Sequence, residues 1–233
     1  MSDDIEAKYL TPTAMLDSDH AAVRGFAARA VGGSTEPVEQ AVKLYYAVRD
    51  GIWYDPYSPF YLPEHYRASR VLEAGRGYCV QKAALLAAVG RAAAIPSRLS
   101  FATVKNHLAT RQLLEYLDSD VFVYHGVVEM YLEGRWVKST PAFNRELCNR
   151  HGVAPLEFDG RHDSVFQAYN EKHEKFMEYL AFHGHYADVP LDDILRAWRE
   201  TYGAERVDGW IAMFEATGSV RPRKFETEDV VHD

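Results

Sequence analysis

Apolar residues recur at helical spacing near the start of the chain, and this pattern predicts two helices. The first covers residues 20–31 and stops at the glycine pair 32–33. The second runs from Glu36-Pro37 to Gly51, because proline suits the first helical turn. Its predicted apolar face consists of Val38, Val42, Tyr45 and Tyr46.

The next segments change in character before a long apolar stretch begins. Residues 53–66 are aromatic and interrupted by prolines, which is typical of a loop. A short helix is then predicted through Leu72, with Ser69 as its N-cap. Residues 79–98 are rich in alanine and leucine, and their apolar positions cover nearly the whole helix circumference. We therefore expect a central helix that is buried on most sides and ends at Pro96.

Two strand patterns follow the central helix. The run LSFATV at residues 99–104 predicts one strand, and the alternating residues 121–132 predict another. Glu133-Gly134 supply a two-residue turn into residues 135–140, which completes a β-hairpin.

The last third of the chain shows less regular patterning. Residues 144–186 are polar, irregular and contain several histidines. A helix is predicted from Pro190 and a shorter one over residues 208–216. Residues 225–233 predict a frayed tail.

Composition narrows the possible classes of protein. The 233 residues are 47% hydrophobic and 26% charged, which is ordinary for one globular core. A net charge of −8 argues against a nucleic-acid-binding protein, which would carry a basic face. We find neither a secretory signal pattern nor an apolar run long enough to cross a membrane. Cys79 and Cys148 are too few for a disulfide framework, so we expect a reduced, cytoplasmic compartment.

Cys79 has the sequence setting of a nucleophile. A glycine-rich turn, Gly75-Arg76-Gly77-Tyr78, delivers it to the start of the predicted buried helix. There the unpaired N–H groups and the helix dipole favour a thiolate, and the same N–H groups can hold a developing oxyanion. Cys148 lacks this setting, and we interpret it as a buried structural cysteine.

His125 is the candidate base because it lies inside a strand, where a polar ring needs a reason. A satisfied core histidine is the competing interpretation. If Glu133-Gly134 form the turn, the numbers of opposed residues sum to 267, and Thr140 lies diagonal to His125 on the same face, about 7–8 Å away. That is the place of a group that orients an imidazole.

Three stretches resemble the core of the transglutaminase-like superfamily: AVKLYYAVRDGIWYDP, GRGYCVQKAALLAAVGRAAAIPSRL and HGVVEMYLEGRWVKSTP, within residues 38–144. The resemblance implies an α+β, papain-like fold with N-terminal helices, a central buried helix on an antiparallel sheet, and a helical C-terminal extension. It implies Cys79 as nucleophile, His125 as general base and acid, and Thr140 at the third position. The expected organisation is a helical segment (1–35), a transglutaminase-like core (36–160) and a C-terminal helical extension of the same domain (161–233).

The resemblance also implies a reaction. The expected activity is attack on a carboxamide or peptide carbonyl through a thioester, as in transglutaminase-like amidases, peptidases and amine acyltransferases. The substrate would be a peptide, a protein or a small amide. The sequence RGYC also resembles arylamine N-acetyltransferases, so acyl transfer from a thioester is an alternative. A non-catalytic peptide-binding module with a degenerate site is another.

The third position departs from the family pattern, which usually has an aspartate where this chain has Thr140. A hydroxyl can accept a hydrogen bond from the imidazole but stabilises imidazolium less than a carboxylate does. Asn144 or Asp159 could substitute. Tyr78 and Gln81 flank the nucleophile and, with Asn144, are candidates to line the substrate pocket.

No cofactor or metal is expected. His183 and His185, together with His162 and His173, do not match a standard zinc spacing, and we interpret them as surface loop residues. No nucleic-acid or membrane partner is predicted, and the oligomeric state is left open.

Overall fold

Helices and an antiparallel sheet make up the computed structural model, which describes residues 7–107, 109–166, 177–218 and 225–228. The helices are α1 (Ala21–Val31), α2 (Pro37–Gly51), α3 (Ala68–Ala74), α4 (Cys79–Ala92), α5 (Arg111–Leu117), α6 (Arg145–His151), α7 (Leu191–Tyr202) and α8 (Ala204–Thr217). The strands are β1 (Trp53–Tyr54), β2 (Arg76–Gly77), β3 (Ser97–Asn106), β4 (Val121–Leu132), β5 (Arg135–Ser139) and β6 (Met177–Tyr186). Two 3₁₀ turns cover Pro63–Tyr66 and Phe225–Thr227. The predicted α+β class is confirmed.

The main sheet has the strand order β5-β4-β3-β6, with every neighbouring pair antiparallel. A separate parallel pair, β1 with β2, brings the loop after α2 beside the turn that precedes α4. Helix α4 packs on β3 and β4, and twelve of its residues are buried. The expected central buried helix is therefore present, although it ends at Ala92, short of the predicted end at Pro96.

The β4–β5 hairpin has the predicted turn and register. Tyr131 pairs with Trp136 and Glu129 with Lys138. Glu133 and Gly134 both have positive φ, 49° and 84°, as the tight turn of a two-residue hairpin requires. The ladder ends at Ser139, so Thr140 lies just beyond the last paired residue.

Several predicted details differ from the structure. In α2 the fully buried apolar residues are Ala41, Leu44, Tyr45 and Val48, while Val38, Val42 and Tyr46 are half-buried. Helix α3 starts at Ala68, and the Ser69 hydroxyl bonds Asp17 instead of capping the helix. Tertiary contacts, which local periodicity does not encode, decide both outcomes.

The region beyond residue 144 contains more structure than its irregular pattern predicts. Helix α6 and strand β6 both lie inside the stretch 144–186. Strand β6 is an edge strand with exposed aromatic residues, so it lacks the alternation of a half-buried strand. The segment 161–233 thus contributes a strand to the sheet besides its two helices. Within the predicted tail, Phe225 and Glu228 are buried, and residues 229–233 lie outside the described part.

No helix in the described part of the chain is long and apolar enough to cross a membrane.

Two buried side chains hold the C-terminal end of α2. Lys82 Nζ donates to the carbonyl oxygens of Arg49 (2.9 Å) and Ile52 (2.5 Å). Asn144 Nδ2 donates to the same oxygens, at 2.6 and 2.7 Å, and its Oδ1 accepts from Tyr54 N at 2.7 Å. Burial lowers the pKa of Lys82 well below its ordinary value. These contacts join α2, α4, β1 and the start of α6.

Replacing Asn144 with alanine should lower the free energy of unfolding by about 1–3 kcal/mol, because the buried N–H of Tyr54 loses its acceptor while Lys82 still donates to the carbonyl oxygens of Arg49 and Ile52. The matched control is Asn149→Ala in the same helix, an exposed position where we expect a change within about 0.5 kcal/mol. Denaturant unfolding of both variants measures the difference. Equal stability of the two variants would contradict the structural role of Asn144.

Candidate active site

Cys79 is the first residue of α4 and follows directly on the β2 turn. Its side chain is half-buried, in contrast to the fully buried residues after it. Burial raises the pKa of the Cys79 thiol, and the backbone N–H groups of Gly126, Val80 and Cys79 itself act in the opposite direction. The start of α4 therefore presents both the thiol and N–H donors.

Gly126 allows β4 to approach the start of α4 closely. A Cβ atom at this position would lie 3.0 Å from Val80 Cα, 3.2 Å from Cys79 O and 3.2 Å from Ala83 Cβ. Backbone atoms of a helix cannot move aside as the end of a flexible side chain can. The absence of a side chain at residue 126 thus sets the distance between the cysteine helix and the strand that carries His125.

A β-bulge lies next to His125 in β4. His125 pairs with Ala102 of β3, but Phe122 pairs with Val104, so β4 has one residue more than β3 between these pairs. Tyr124, inside the bulge, has a positive φ of 56°. Because residues 102 and 104 share a face, the bulge puts Phe122 on the same face as His125.

One cavity is lined by both Cys79 and His125. Apolar side chains make up most of the wall, including Leu113, Phe122, Phe143, Leu147, Met177 and Phe225. The other lining residues with polar groups are Tyr54, Asn106, Thr110, Cys148 and His151. The structure therefore brings the two predicted catalytic residues together in an apolar setting.

His125 is buried, and its ring centroid lies 5.4 Å from that of Phe166. Its Nε2 atom has no hydrogen-bond partner among the described residues. Burial lowers the pKa of His125 to about 4, so the imidazole is neutral at neutral pH. A neutral imidazole with a free nitrogen is the form in which histidine accepts a proton.

The Cys79 thiol does not have the depressed pKa that its position at the helix start predicts. Burial raises its pKa to about 11, more than the N–H groups of Val80 and Gly126 lower it. With His125 neutral as well, the resting site holds a neutral thiol and a neutral imidazole. The prediction that the helix start lowers the pKa of this thiol is therefore wrong, because burial raises the pKa by more than the N–H groups lower it.

Thr140 is buried just beyond the end of β5 and does not line the cavity. Its carbonyl oxygen accepts a hydrogen bond from Tyr45 Oη at 3.2 Å. Its Oγ1 atom, like Nε2 of His125, has no partner among the described residues. The two suggested substitutes are engaged elsewhere: Asn144 holds the end of α2, and Asp159 bonds His162 on the surface at 2.6 Å.

Tyr78 and Gln81 lie beside Cys79 in the chain but outside the cavity lining. The Tyr78 hydroxyl contacts that of Tyr66 at 2.7 Å. Gln81 Oε1 accepts from Tyr78 N, and its Nε2 donates to the carbonyl oxygens of Pro59 and His65. These contacts anchor the aromatic loop before α4. The structure brings neither residue, nor Asn144, to the cavity, and their role in substrate binding stays a prediction.

The cavity contains residues that the sequence does not single out. Phe143 follows the hairpin and packs on Tyr54 at 4.8 Å between ring centroids. Phe225 belongs to the segment predicted as a frayed tail. Cys148 is buried as predicted but shares the cavity with Cys79. In the sequence, the only local signal that Phe143 and Phe225 line a cavity is their aromatic side chain.

Two of the histidines predicted as loop residues belong to strand β6 instead. His183 Nε2 and Thr103 Oγ1 lie 2.8 Å apart, and the His183 ring stacks on Tyr124. His185 Nδ1 lies 3.3 Å from the buried carboxylate of Glu129. His173 falls outside the described residues. In the part of the chain that is described, histidine, cysteine and carboxylate side chains form no group of three suited to a metal ion.

Comparison with known proteins gives one family. The family model described as "Transglutaminase-like superfamily" matches residues 24–141, about half of the chain, and includes both Cys79 and His125. No curated protein matches significantly. Among solved structures, a "putative cysteine protease" from Cytophaga hutchinsonii is similar at 20% sequence identity and a TM-score of 0.47. The match covers 60% of this chain and 43% of that chain, so less than half of the solved chain is represented.

Iodoacetamide should label Cys79 faster than Cys148. Burial raises the pKa of both thiols to about 11, but Cys79 is only half-buried whereas Cys148 is 2% exposed. Because a raised pKa delays thiolate formation, the Cys79 rate should climb with pH, without a plateau, until the pH approaches about 11. Peptide mapping of wild type and of the single-thiol variants Cys79→Ser and Cys148→Ser measures both rates.

The variant His125→Ala tests whether Cys79 and His125 are both neutral in the resting protein. Since His125 is neutral, removing it should leave the Cys79 pH–rate curve in place. A plateau near neutral pH that disappears in His125→Ala would instead reveal a preformed thiolate–imidazolium pair.

Proposed function

Because the chain belongs to the transglutaminase-like superfamily, we propose that it is a cysteine-dependent enzyme that acts on a carboxamide or peptide carbonyl through a thioester. The carrying observation is the shared cavity, in which Cys79 at the start of a buried helix meets His125 with an unpartnered Nε2. The substrate is a peptide, a protein or a small amide. Neither the nucleophile nor the base in this proposal needs a metal or cofactor.

The neutral resting pair sets the order of the steps. Cys79 Sγ attacks the carbonyl carbon while His125 Nε2 takes the thiol proton, so the S–C bond forms as the S–H bond breaks. N–H groups at the first turn of α4 stabilise the developing oxyanion. The C–N bond then breaks, and His125 returns the proton to the departing amine. Water, or a second amine, attacks the thioester carbonyl, gives up its proton through His125, and releases the free thiol.

Thr140 is the proposed positioning residue for His125. Continuing the β4–β5 register puts Thr140 opposite Val127, on the face that also carries His125. Thr140 Oγ1 is buried without a partner among the described residues, which supports a hydrogen bond from the other ring nitrogen, Nδ1, that forms when the ring adjusts on substrate binding. A hydroxyl at this position stabilises imidazolium less than a carboxylate, so we expect slower catalysis than an aspartate would support.

A non-catalytic binding module is the second candidate. The neutral thiol–imidazole pair favours it, because neither group is activated in the resting state. Peptide recognition by the cavity would require no proton transfer. The two candidates differ in whether a covalent acyl-enzyme forms.

Mixing the protein with p-nitrophenyl acetate should give a burst of p-nitrophenolate and an acetylated protein by intact mass. The burst should persist in Cys148→Ser and vanish in Cys79→Ser, since only Cys79 is the proposed nucleophile. His125→Gln should slow acylation by about 10²–10⁴-fold, the usual contribution of a general base. A burst that survives in Cys79→Ser would refute the nucleophile. No burst in wild type, with Cys79 still open to alkylation, would favour the binding module.

Thr140→Val should slow acylation about tenfold, with Thr140→Ser close to wild type, because only the hydroxyl is proposed to orient His125. The free energy of unfolding should not fall in Thr140→Val, since an unpaired buried hydroxyl is replaced by a methyl group of similar size. Acylation kinetics and denaturant unfolding measured on both variants separate the two effects. Wild-type acylation by Thr140→Val would remove Thr140 from the mechanism and leave Cys79 and His125 in place.

A further inference from the structure

The wall of the cavity restricts what can bind beside Cys79. Of the described residues that line it, none is aspartate, glutamate, lysine or arginine. His125 and His151 are the titratable nitrogens, and burial lowers the pKa of both, so they stay neutral. A charged group entering this cavity would lose its hydration without gaining an opposite charge. The chemistry of the wall therefore selects an uncharged group.

The size of the cavity restricts the group further. Its volume is about 50 Å³. One water-sized group needs about 10–15 Å³ on this measure, so the space accommodates about four such groups. A short aliphatic chain fits this space, and a large peptide side chain does not.

Phe225 forms one wall of the cavity from the far end of the sequence. The side chain is 5% exposed. Its ring centroid lies 5.5 Å from that of Tyr54 and 5.7 Å from that of His151, and both residues also line the cavity. Phe225 thus bridges the β1 strand and helix α6 on the apolar side of the cavity.

Glu228 fastens this segment to the body of the protein. Its carboxylate is buried and accepts hydrogen bonds from Tyr57 Oη at 2.9 and 3.0 Å and from Thr110 Oγ1 at 2.7 Å. Thr110 itself lines the cavity and caps α5 through a bond from Leu113 N. Phe225 is therefore held in place through the hydrogen bonds of Glu228 to Tyr57 and Thr110, as a fixed wall requires.

We propose that this cavity is an acyl pocket for a short, uncharged aliphatic group and that Phe225 is the residue that sets its length. This inference rests on the proposed function in one respect: the group in the cavity is the acyl group of the substrate only if Cys79 forms a thioester. The statement about length concerns only the space beside the Cys79 sulfur.

The test uses alkyl methanethiosulfonates of increasing chain length on the Cys148→Ser protein. The Cys79 thiolate attacks the sulfenyl sulfur, a disulfide forms and methanesulfinate leaves, so the alkylthio group is delivered without turnover. The rate of Cys79 modification should fall by at least about tenfold from the propyl to the hexyl reagent, because the propyl chain fits the cavity and the hexyl chain exceeds it. The sulfonatoethyl and trimethylammonioethyl reagents should both react more slowly than propyl.

Two substitutions at Phe225 should move this profile in opposite directions. Phe225→Ala should restore the hexyl rate about tenfold relative to propyl, and Phe225→Trp should penalise propyl relative to methyl. The matched control is Phe214→Ala, another 5% exposed phenylalanine, which packs on Phe60 and lies outside this cavity. It should keep the wild-type profile. Circular dichroism confirms that each variant is folded.

p-Nitrophenyl esters from acetate to hexanoate, assayed on the same variants, connect the pocket to acylation. The ester profile should follow the methanethiosulfonate profile. An unchanged methanethiosulfonate profile in both Phe225 variants, or fastest reaction of a charged reagent, would overturn the inference. A shifted methanethiosulfonate profile without any ester acylation would uphold the pocket and refute the proposed function instead.

Discussion

The end of α2 is held by two buried side chains, and the position of the cysteine helix depends on this contact. Lys82, one turn after Cys79, and Asn144, at the start of α6, both donate to the carbonyl oxygens of Arg49 and Ile52. A helix end has four carbonyl groups without intrahelical partners, and burying them without donors is unfavourable. Here the donors to two of these carbonyl groups come from α4 and from the start of α6. The same hydrogen bonds therefore cap α2 and connect it to both other helices. The geometry of the candidate site is thus fixed by the hydrogen-bonding needs of a helix that contributes no residue to it.

Burial has two opposed effects at the candidate site. It brings Cys79 and His125 into an apolar space where electrostatic interactions are strong, and it disfavours the charged form of each. The N–H groups around the thiol stabilise negative charge, but not enough to offset desolvation in the resting state. In such a site a stable thiolate–imidazolium pair between Cys79 and His125 is unfavourable. A direct proton transfer from the thiol to the imidazole, at the moment the thiol reacts, suits it better.

The parts of the fold that the sequence predicts well are those with local causes. The turn at Glu133-Gly134 fixes the register of the β4–β5 hairpin, and this register is correct to the residue pair. The alanine-rich run after Cys79 predicts a helix buried on most sides, as observed.

The parts that it predicts poorly depend on distant contacts. Strand β6 pairs with β3, which is distant in sequence, and Phe225 packs on Tyr54, Tyr57 and helix α6. The pKa of the Cys79 thiol is of the same kind. The helix start is visible in the sequence, but the packing that removes water from the thiol is not.

The β4 bulge has a consequence for how this cavity can change. In a regular strand every second residue faces the same side. Only substitutions at those alternate positions then change which side chains line a cavity on that side. In β4, His125 and Phe122 share a face because Tyr124 takes up one extra residue between them. Regular pairing of the same residues, without the bulge, would put Val123 on the face of His125 and turn Phe122 to the opposite face. The pairing register of β4, and not only residue identity, is therefore a variable on which the shape of this pocket depends.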